Sequence, residues 1–276
     1  MVTVNFAGTG ALEWGVPGVT YPSRGGAPCV VTVELHRGTM RRLSGYLVLA
    51  AGLLLGGCAT DPSGANDPYE KTNRQVFDFD QKLDKYAMEP IAQGYVDVVP
   101  EPARDGVHNF LVNLDLPVTF INDLLQGEMD RAGQTIGRLA INSTLGIGGL
   151  LDPATDMGIP FHTEDFGQTL ATWGVGEGPY MVLPFFGPDP PRDSTGQVVD
   201  IFFDPTTYIT LREHFWWSAG RRAAEIIDLR SRNLDTVRDL ERSSIDYYAS
   251  VRSLYRQNRN NEIRNGKPDV NNLPNL

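Results

Sequence analysis

The stretch "EPARDGVHNFLVNLDLPVTFINDLLQGE", residues 101–128, decides the class of the fold. Its Leu, Val, Phe and Ile residues recur at helical spacing, and Pro102 stands in the first turn, where helices accept proline. Two helices are predicted here, the second capped by Asp115 with Pro117 behind it. Because residues 128–142 predict another helix, a mainly α-helical protein is expected.

Helical patterns continue on both sides of this stretch. Residues 67–91 predict a helix with Pro68 at its first position. Phe77 lies off the apolar stripe of that helix, and contact with a neighbouring helix and contact with a membrane are both open for it. The stripe itself consists of Tyr69, Val76, Phe79, Leu83, Tyr86 and Ala87. The apolar face of the helix over 128–142 consists of Ile136, Leu139 and Ala140.

The character of the sequence changes at residue 142. Over residues 142–196, Gly and Pro interrupt every period, although large apolar residues stay frequent. Long segments of this kind are usually functional or disordered, and the hydrophobic content disfavours disorder. A short β-hairpin is predicted, with strands near 168–175 and 180–185 that turn at "GEGP".

Helical periodicity returns near Thr210 and continues towards the C-terminus. Helices are predicted over 234–241 and 245–258, the second entered through Ser243 with Asp246 at capping-box spacing. Residues 260–276 are polar and are predicted to be a flexible tail. An aromatic group precedes and opens the first of these segments: Phe202, Phe203, Tyr208, Phe215, Trp216 and Trp217.

Charge and cysteine content exclude several classes of function. The chain has 24 basic and 34 acidic residues, a formal net charge of −10. Nucleic-acid binding and adsorption to anionic lipid both need clustered Lys and Arg, so any membrane attachment must be hydrophobic. The two cysteines are Cys29 and Cys58, which leaves the rest of the chain without a disulfide framework or a thiol nucleophile.

The apolar run "LVLAAGLLLGGCAT", residues 47–60, looks like a lipoprotein signal. It is shorter than the roughly 20 apolar residues that span a bilayer, and a basic pair precedes it. The "LGGC" motif predicts cleavage before Cys58 and a covalent lipid on that cysteine. Residues 40–57 are therefore predicted to be a signal peptide and 58–66 a lipidated tether, with 1–39 a disordered, mis-called extension upstream of the true start.

Few motifs in the chain indicate catalysis. The sequence contains no G-x-S-x-G, H-E-x-x-H, CxxC or phosphate-loop motif. "LGIGGL" lacks the full spacing of a dinucleotide loop. In "HTEDF", His162, Glu164 and Asp165 stand close enough to form a metal site or a general base, or simply a polar loop that makes its own hydrogen bonds.

Long motifs give the chain a family resemblance. They are "DPYEKTNR", "PARDGVHNFLVNL", "INDLLQGE", "RLAINSTLGIGGLLDPA", "DFGQTLATWGVGEGPYMVLPFFGP", "RDSTG" and "SSIDYYASVRSLYRQNR". In this order they resemble the VacJ/MlaA family of outer-membrane phospholipid-transport lipoproteins. The resemblance covers nearly all of the chain after the signal. One departure is the short tail after Arg259, which is poor in acidic residues.

The resemblance implies a non-enzymatic lipid channel. The expected fold is a single ring-shaped helical domain over 67–259, lying in the membrane plane within the inner leaflet of the outer membrane. Mislocalised phospholipids would pass through it to a soluble periplasmic carrier, beside a trimeric porin. No cofactor is expected beyond the lipid on Cys58 and the transported phospholipid. An envelope hydrolase using the "HTEDF" loop and a structural porin-associated lipoprotein are the alternatives.

The resemblance also implies site residues. A glycine hinge beside the channel corresponds to Gly146, Gly148 and Gly149, while Asn142 and Ser143 either meet lipid headgroups or cap the adjoining helix. Membrane or channel contact is expected among Phe77, Phe79, Phe166, Gly167, Gln168, Trp173, Gly174, Gly176, Gly178, Pro179 and Tyr180.

Overall fold

The computed structural model describes residues 66–209 and 214–267, except the side chains of residues 209, 214 and 215. The predicted extension 1–39, the signal peptide 40–57 and Cys58 lie outside these ranges. Within the ranges, no helix combines the length and apolar character needed to cross a membrane.

The described chain is mainly α-helical with one two-stranded antiparallel sheet, as predicted. Val182 pairs with Pro188 and Leu183 with Gly187. The elements are α1 Glu70–Leu83, a π-helix Asp84–Met88, α2 Glu89–Val98, α3 Glu101–Gln126, α4 Met129–Thr144, α5 Pro153–Asp156, α6 Phe166–Thr172, β1 Val182–Leu183, β2 Gly187–Pro188, α7 Pro191–Phe203, α8 Thr206–Ile209, α9 His214–Arg232, α10 Leu234–Ser243 and α11 Tyr247–Ile263.

The two helices predicted over residues 101–128 are one helix, α3, which runs through Pro117. Asp115 does not cap a helix, since its carboxylate accepts a hydrogen bond from Arg221 of α9. An interior proline costs a helix about 3 kcal/mol, which packing can offset. Leu116 and Thr119 are buried on either side of it, so tertiary contacts hold α3 continuous.

The predicted hairpin lies further along the chain than expected. Residues near 168–175 were predicted as a strand, which is wrong, because the Asp165 carboxylate accepts a hydrogen bond from Gln168 N at 2.9 Å and caps helix α6. The strands pair around residues 184–186 instead of turning at "GEGP". Local side-chain capping therefore overrides the β propensity of this segment.

The helices that follow also differ from their predicted bounds. The helix expected to begin near Thr210 is preceded by α7, which starts at Pro191. Asp246, not Ser243, caps α11, since its carboxylate accepts from Ala249 N at 3.1 Å. The same helix continues to Ile263, past the predicted end at residue 258, and includes the first residues of the predicted tail.

The buried face of α1 is not the one predicted. Phe77 is buried and its ring centroid lies 5.4 Å from those of both Tyr247 and Tyr248 in α11. Phe79 and Tyr86, both on the predicted apolar stripe, are 47% and 79% exposed. Phe77 thus packs against a neighbouring helix, one of the two surroundings that the sequence left open for it.

The face of α4 shows the same inversion of polarity. Thr135, Arg138 and Asn142 are buried, whereas Ile136, predicted on the apolar face, is 44% exposed. Among the described residues, more polar and charged side chains than hydrophobic ones are fully buried, and many large apolar side chains are exposed. Water-soluble domains show the opposite preference, so the exposed apolar surface calls for an apolar neighbour.

Candidate functional site

The predicted glycine hinge is a compact turn over residues 145–151, between α4 and α5. Gly148 and Gly149 have φ of +70° and +94°, and Ile147 between the glycines also has a positive φ, +55°. Gly149 N donates to Asn142 O at 2.9 Å, and Leu151 N donates to the carbonyl of Gly146 at 2.9 Å. The turn is thus fastened by its own backbone hydrogen bonds.

The three glycines are needed for different reasons. A Cβ on Gly146 would lie 2.4 Å from the carbonyl oxygens of Asn142 and Leu151. A Cβ on Gly149 would lie 2.6 Å from Cβ of Asn113 in α3. At Gly148 the space is open and only the positive φ requires glycine. Two of the three positions therefore serve close packing.

A polar cluster forms the base of this turn. The buried Asn142 side chain donates to Asp152 Oδ1 at 2.8 Å and accepts from Ala154 N at 3.1 Å. Arg138 Nη2 donates to Asp152 Oδ2 at 2.6 Å. Burial opposes ionisation of Asp152, but hydrogen bonds from Thr155, Asn142 and Arg138 hold its pKa below the ordinary value. Asn142 thus joins α4 to the start of α5.

The tip of the turn is apolar. Ser143 is exposed beside it, and its Oγ accepts from Asn113 Nδ2 at 3.1 Å. The exposed fractions of the tip residues are 62% for Leu145, 67% for Ile147, 44% for Leu150 and 54% for Leu151. A polar base and an apolar tip give this segment the two surfaces that an amphipathic lipid presents.

In the second predicted group, α6 and α7 cross in backbone contact. A Cβ on Gly196 would lie 2.3 Å from Gly167 N. A Cβ on Gly167 would lie 2.6 Å from Arg259 Nη2 and 2.7 Å from Asp193 Oδ1. The missing side chain of Gly167 therefore leaves room for the Arg259 guanidinium of α11 at the crossing. The missing side chain of Gly196 lets the backbone of Gly167 approach.

Arg259 joins three elements at that crossing. Its guanidinium donates to Asp165 at 2.6 and 2.7 Å and to Asp193 at 2.9 Å. Burial alone would raise the pKa of both carboxyls, but the hydrogen bonds, from Arg259 to Asp165 and from Arg192 and Arg259 to Asp193, hold each below its ordinary value. The ion pairs fix α11 against α6 and α7.

Tyr180 lies at the centre of the aromatic core. It is 1% exposed, and its carbonyl accepts from Asn73 Nδ2 at 3.0 Å. Edge contacts join its ring to Tyr248 and Tyr255 of α11. Burial raises the pKa of its phenol. Its position is a packing position within the described chain.

Other members of the second group lie at the ends of α6 and beyond. Gly174 and Gly178 have positive φ, and a Cβ on Gly178 would lie 3.3 Å from the Pro191 ring. Gly176 has open space around it and Pro179 is half-buried. Phe166 lies edge-on to Trp173, whose ring is 54% exposed and donates Nε1–H to Leu125 O at 3.2 Å.

Both groups lie against the same helix, α3. Asn113 meets the glycine turn, and Asn122, nine residues or about 14 Å further along α3, meets the second group. Asn122 Oδ1 accepts from Thr169 Oγ1 at 2.8 Å and its Nδ2 donates to Asp200 at 2.9 Å. Phe166 N donates to the same carboxylate at 3.0 Å. The structure thus places the glycine turn and the start of α6 at two positions along α3, whereas Phe77 and Tyr180 lie against α11.

The three polar residues of "HTEDF" are directed to different partners. His162 Nε2 lies 3.1 Å from both Asp123 oxygens. Glu164 accepts from Arg131 at 2.6 Å, and Asp165 caps α6. Within the described ranges no group of three His, Cys, Asp or Glu residues is placed to hold a metal ion. The local cluster therefore reads as a set of structural hydrogen bonds.

Known proteins are similar to this chain over most of its described length. The family model described as MlaA lipoprotein matches residues 65–262. The chain belongs to the MlaA lipoprotein family. Relatives include the intermembrane phospholipid transport system lipoprotein MlaA of Escherichia coli strain K12, 40% identical over 230 residues, which are 79% of this chain and 88% of the relative.

Two further comparisons agree with the MlaA assignment. The MlaA lipoprotein of Haemophilus influenzae is 33% identical over 234 residues, 79% of this chain and 90% of the relative. A solved structure described as the structural basis for maintenance of bacterial outer membrane lipid asymmetry matches with a TM-score of 0.65 at 37% identity. The match covers 71% of this chain and 98% of that one.

Sequence reasoning missed the partners that fix the MlaA motifs in place. Arg138 holds the turn, and Asp193 and Asp200 hold the α6–α7 crossing. Asp123 holds His162, and none of the four stands in a short catalytic motif. The final helix does carry a sequence pattern that could have revealed some of these contacts. Tyr248, Arg252, Tyr255 and Arg259 recur there at helical spacing on one face.

Proposed function

We propose that this MlaA-family chain is an outer-membrane lipoprotein that takes mislocalised phospholipids from the outer leaflet and passes them through an amphipathic channel to a soluble periplasmic carrier. Lipid asymmetry of the outer membrane is thereby maintained. The observation that carries the proposal is the inverted polarity of the described chain, with a polar interior and an exposed apolar surface. The names of the relatives and of the matching structure support it.

Inverted polarity fits a body that lies in lipid. Exposed apolar side chains gain about 25 cal/mol per Å² when hydrocarbon replaces water around them. The buried amides and carboxylates of α3 and α4 offer hydrogen-bonding groups that a lipid headgroup requires. The domain over 67–259 would form a ring in the inner leaflet, with its apolar surface outward.

Attachment would begin at Cys58 and involve a porin. Cleavage before this residue and acylation of it would leave 58–66 as a tether that leads into the described chain at Asn66. Asn66 is held there, because its carbonyl accepts from Tyr180 N at 2.9 Å. A trimeric outer-membrane porin is the proposed neighbour of the body.

The glycine turn is the proposed moving part of the channel. Its internal hydrogen bonds preserve its shape, so any motion takes the turn as a unit relative to α3. Contact with α3 rests on Asn113 Nδ2 to Ser143 Oγ at 3.1 Å and on Asn109 Nδ2 to Leu150 O at 3.4 Å. Asn113 Oδ1 is buried without a hydrogen-bond partner among the described residues, so movement of the turn away from α3 would free it to accept from a lipid headgroup.

Passage would leave the lipid chemically unchanged. A Ser-His-Asp type of relay needs the two ring nitrogens of histidine on different partners. In this chain His162 Nε2 faces both Asp123 and Thr135, and Thr135 is 1% exposed. The hydrolase alternative would therefore require a different arrangement of this loop.

The test is lipid extraction and transfer by the acylated full chain. We expect copurified, intact phospholipid, and transfer of fluorescent phospholipid from vesicles that contain the protein to a purified periplasmic carrier. Vesicles with heat-denatured protein provide the control. Fatty acid or lysophospholipid as product would indicate the hydrolase, and absence of both bound lipid and transfer would indicate a structural lipoprotein.

A Cys58→Ser variant tests the anchor. We expect no acylation, retention of the uncleaved precursor and loss of the protein from the outer membrane. Stable attachment takes more than one acyl chain, and the variant would carry none. Mass spectrometry of the N-terminus and membrane fractionation measure the result. Normal acylation or an unchanged outer-membrane fraction would contradict the predicted anchor.

A further inference from the structure

A polar groove of about 290 Å³ lies along one flank of helix α11. No carboxylate is among the described residues that line it, and three of these residues, Ser253, Gln257 and Asn260, are exposed. The groove therefore offers guanidinium, amide and hydroxyl groups to an occupant. We call it the α11 groove, and its described lining consists of Ala249, Arg252, Ser253, Arg256, Gln257 and Asn260.

The two arginines of the α11 groove are held in place by carboxylates outside it. Arg252 Nη1 donates to Asp67 Oδ2 at 2.6 Å, and Arg256 Nη2 donates to Glu177 Oε1 at 2.7 Å. Their side chains stay partly accessible, 15% and 30% exposed. A guanidinium has five N–H donors, so one bond can fix its position while another binds a further acceptor.

The tether joins the described chain beside these arginines. Asn66 Nδ2 donates to Glu177 Oε1, the atom that Arg256 binds, at 2.9 Å, and to Gly178 O at 2.7 Å. Asn66 adopts φ of +51°, a left-handed value that asparagine accepts more readily than most residues. The point where the tether leaves the body is therefore fixed next to the α11 groove.

The length of the tether matches the length of the α11 groove. Residues 61–64, "DPSG", match a type I β-turn, with Asp first, Pro second and Gly last. Such a turn brings its first and last Cα within about 7 Å, so Asp61 stays within about 14 Å of Asn66. The groove runs from Ala249 to Asn260, about 16 Å of helix. A turned tether is thus confined to the neighbourhood of the groove.

The side chains of the tether also suit this groove. Asp61 is the only charged residue between Cys58 and Asn66, and the others are Ala, Thr, Pro, Ser and Gly. A carboxylate and a guanidinium form a strong, charge-assisted hydrogen bond. Small side chains let the backbone of the turn approach the amides of Gln257 and Asn260, which can both donate and accept.

We infer that the tether docks in the α11 groove as a β-turn, with the Asp61 carboxylate on Arg256 and the turn backbone on Gln257 and Asn260. A free linker over the eight residues from Cys58 to Asn66 would reach about 28 Å in any direction. Docking holds Cys58 beside α11 instead, so the body takes one orientation relative to its lipid. Only this consequence rests on the acylation proposed above.

Cross-linking of the acylated full chain in detergent micelles tests the docking. Ser63→Cys is combined with Gln257→Cys in a Cys29→Ser background, and mass spectrometry checks that acylation blocks the Cys58 thiol. Ser63→Cys with Asn258→Cys is the matched control, because Asn258 is exposed one residue further along α11 and does not line the α11 groove. A free tether reaches both positions alike, whereas docking should form the 63–257 disulfide at least about tenfold faster.

An Asp61→Asn variant tests the proposed contact with Arg256. Asparagine also favours the first position of a type I turn, so the change removes the charge and keeps the turn. We expect the rate of 63–257 disulfide formation to fall towards the 63–258 rate. Thr60→Asn places the same side chain one position earlier and should leave the rate unchanged. An unchanged rate in Asp61→Asn would refute the Asp61 contact.

A nitroxide on Ser63→Cys gives a readout that does not depend on disulfide geometry. We expect an immobilised component in its electron paramagnetic resonance spectrum, which disappears when residues 59–65 are replaced by alternating Gly and Ser. A fully mobile spectrum with the natural tether would overturn the docking. Equal 63–257 and 63–258 rates would also overturn it, and so would Gln257→Cys dimers that form faster than the 63–257 disulfide, since they would assign the α11 groove to a second copy.

Lipid transfer by the same samples separates this inference from the proposed function. A docked tether without transfer would refute the proposed transport alone, and transfer by protein with a mobile tether would refute the docking alone. If mass spectrometry finds Cys58 unacylated, the same cysteine pairs in a Cys58→Ser background still measure the docking.

Discussion

At the scale of single residues, the two outer glycines of "GIG" illustrate how one residue type meets two needs. Gly146 allows two carbonyl oxygens to approach, whereas Gly148 supplies a left-handed backbone in open space. The sequence predicted that glycines matter here, but not which reason applies. A close approach depends on where residues 142 and 151 lie, and no local pattern contains that information.

Alanine at these positions should separate the two reasons. Gly148→Ala should lower the free energy of unfolding by about 1 to 2 kcal/mol, the cost of a left-handed non-glycine residue. Gly146→Ala should cost more, because its Cβ would lie 2.4 Å from two backbone oxygens and the turn must shift. Denaturant unfolding in detergent micelles measures both. A milder effect at Gly146 than at Gly148 would contradict the packing described here.

Asp200 gives a pH-dependent prediction at the same scale. Burial raises its pKa to about 6, although Phe166 N and Asn122 donate to it. The folded chain therefore holds this proton more tightly than the unfolded chain, and the stability Asp200 contributes declines as pH rises from about 4 through 6. The decline amounts to at most about 3 kcal/mol.

Asp200→Asn should remove that decline. Asparagine keeps one carbonyl oxygen for Asn122 and Phe166 but does not ionise. Relative to the wild type, the variant should gain about 1 to 3 kcal/mol in unfolding free energy between pH of about 4.5 and 7. Melting temperatures across that range measure the gain. Parallel curves for the two proteins would show that Asp200 does not titrate there.

At the scale of elements, α11 shows how a helix with few aliphatic residues can pack against the rest of the chain. Tyr248, Arg252, Tyr255 and Arg259 form one face that meets carboxylates from distant parts of the chain. The Asp67 carboxylate accepts hydrogen bonds from Tyr248 and Arg252. The Asp193 carboxylate accepts hydrogen bonds from Tyr255 and Arg259. Helix α11 is therefore docked by ion pairs and aromatic rings, with little aliphatic packing.

Arg259→Gln should release this helix from α6 and α7. Removing the guanidinium leaves the partly exposed Asp165 without its cation and leaves Asp193 paired with Arg192 alone, which should cost less than the roughly 3 to 5 kcal/mol of a fully buried pair. Hydrogen exchange in residues 247–263 should rise. Arg242→Gln, at an exposed position of α10, is the matched control and should leave exchange unchanged. Unaltered protection in the Arg259 variant would show that the aromatic contacts suffice.

The errors in predicting elements have a common physical cause. Local rules predicted most helices and the N-terminal position of Pro102, because those signals lie within one turn. The continuity of α3 through Pro117 depends on packing between residues far apart in sequence. The sheet of strands 182–183 and 187–188 is held by the distant Asn73 of α1. The surroundings of Phe77 were left open for the same reason, since α11, far away in sequence, supplies its neighbours.

At the scale of the whole molecule, inverted polarity explains why periodicity selected the wrong faces. The hydrophobic-moment argument assumes that water surrounds the protein and that the apolar stripe lies inside. Phe79 and Ile136 of the predicted stripes are exposed, although Val76 packs against the core. Asn73, Thr135 and Arg138 are buried. The sequence shows which residues share an apolar stripe, but whether that stripe faces the interior or the surface depends on what surrounds the protein. Of the sequence observations, only the family resemblance implied a lipid environment.

The proposed motion of the glycine turn needs a test that preserves the turn. Proline at Gly148 is incompatible with a φ of +70° and would also remove the bond from Gly148 N to Ser143 O, so the turn itself would change. The contact between the turn and α3 is a better target. A Cβ on Gly106 would lie 3.9 Å from Leu150 Cδ2, so the two positions are in contact. A cysteine pair there is a candidate disulfide, and mass spectrometry checks that it forms.

A Gly106→Cys, Leu150→Cys variant should therefore lock the turn onto α3 when oxidised. We expect oxidised protein to fold, reach the membrane and bind phospholipid, but to transfer it to the carrier at least about tenfold more slowly, the rate effect of raising a barrier by about 1.4 kcal/mol. Reduction of the same sample should restore transfer, and each single cysteine variant controls for the substitutions. Full transfer by protein shown to be cross-linked would mean that lipid passes a fixed turn, so the glycines would then serve close packing and left-handed geometry without a gating role.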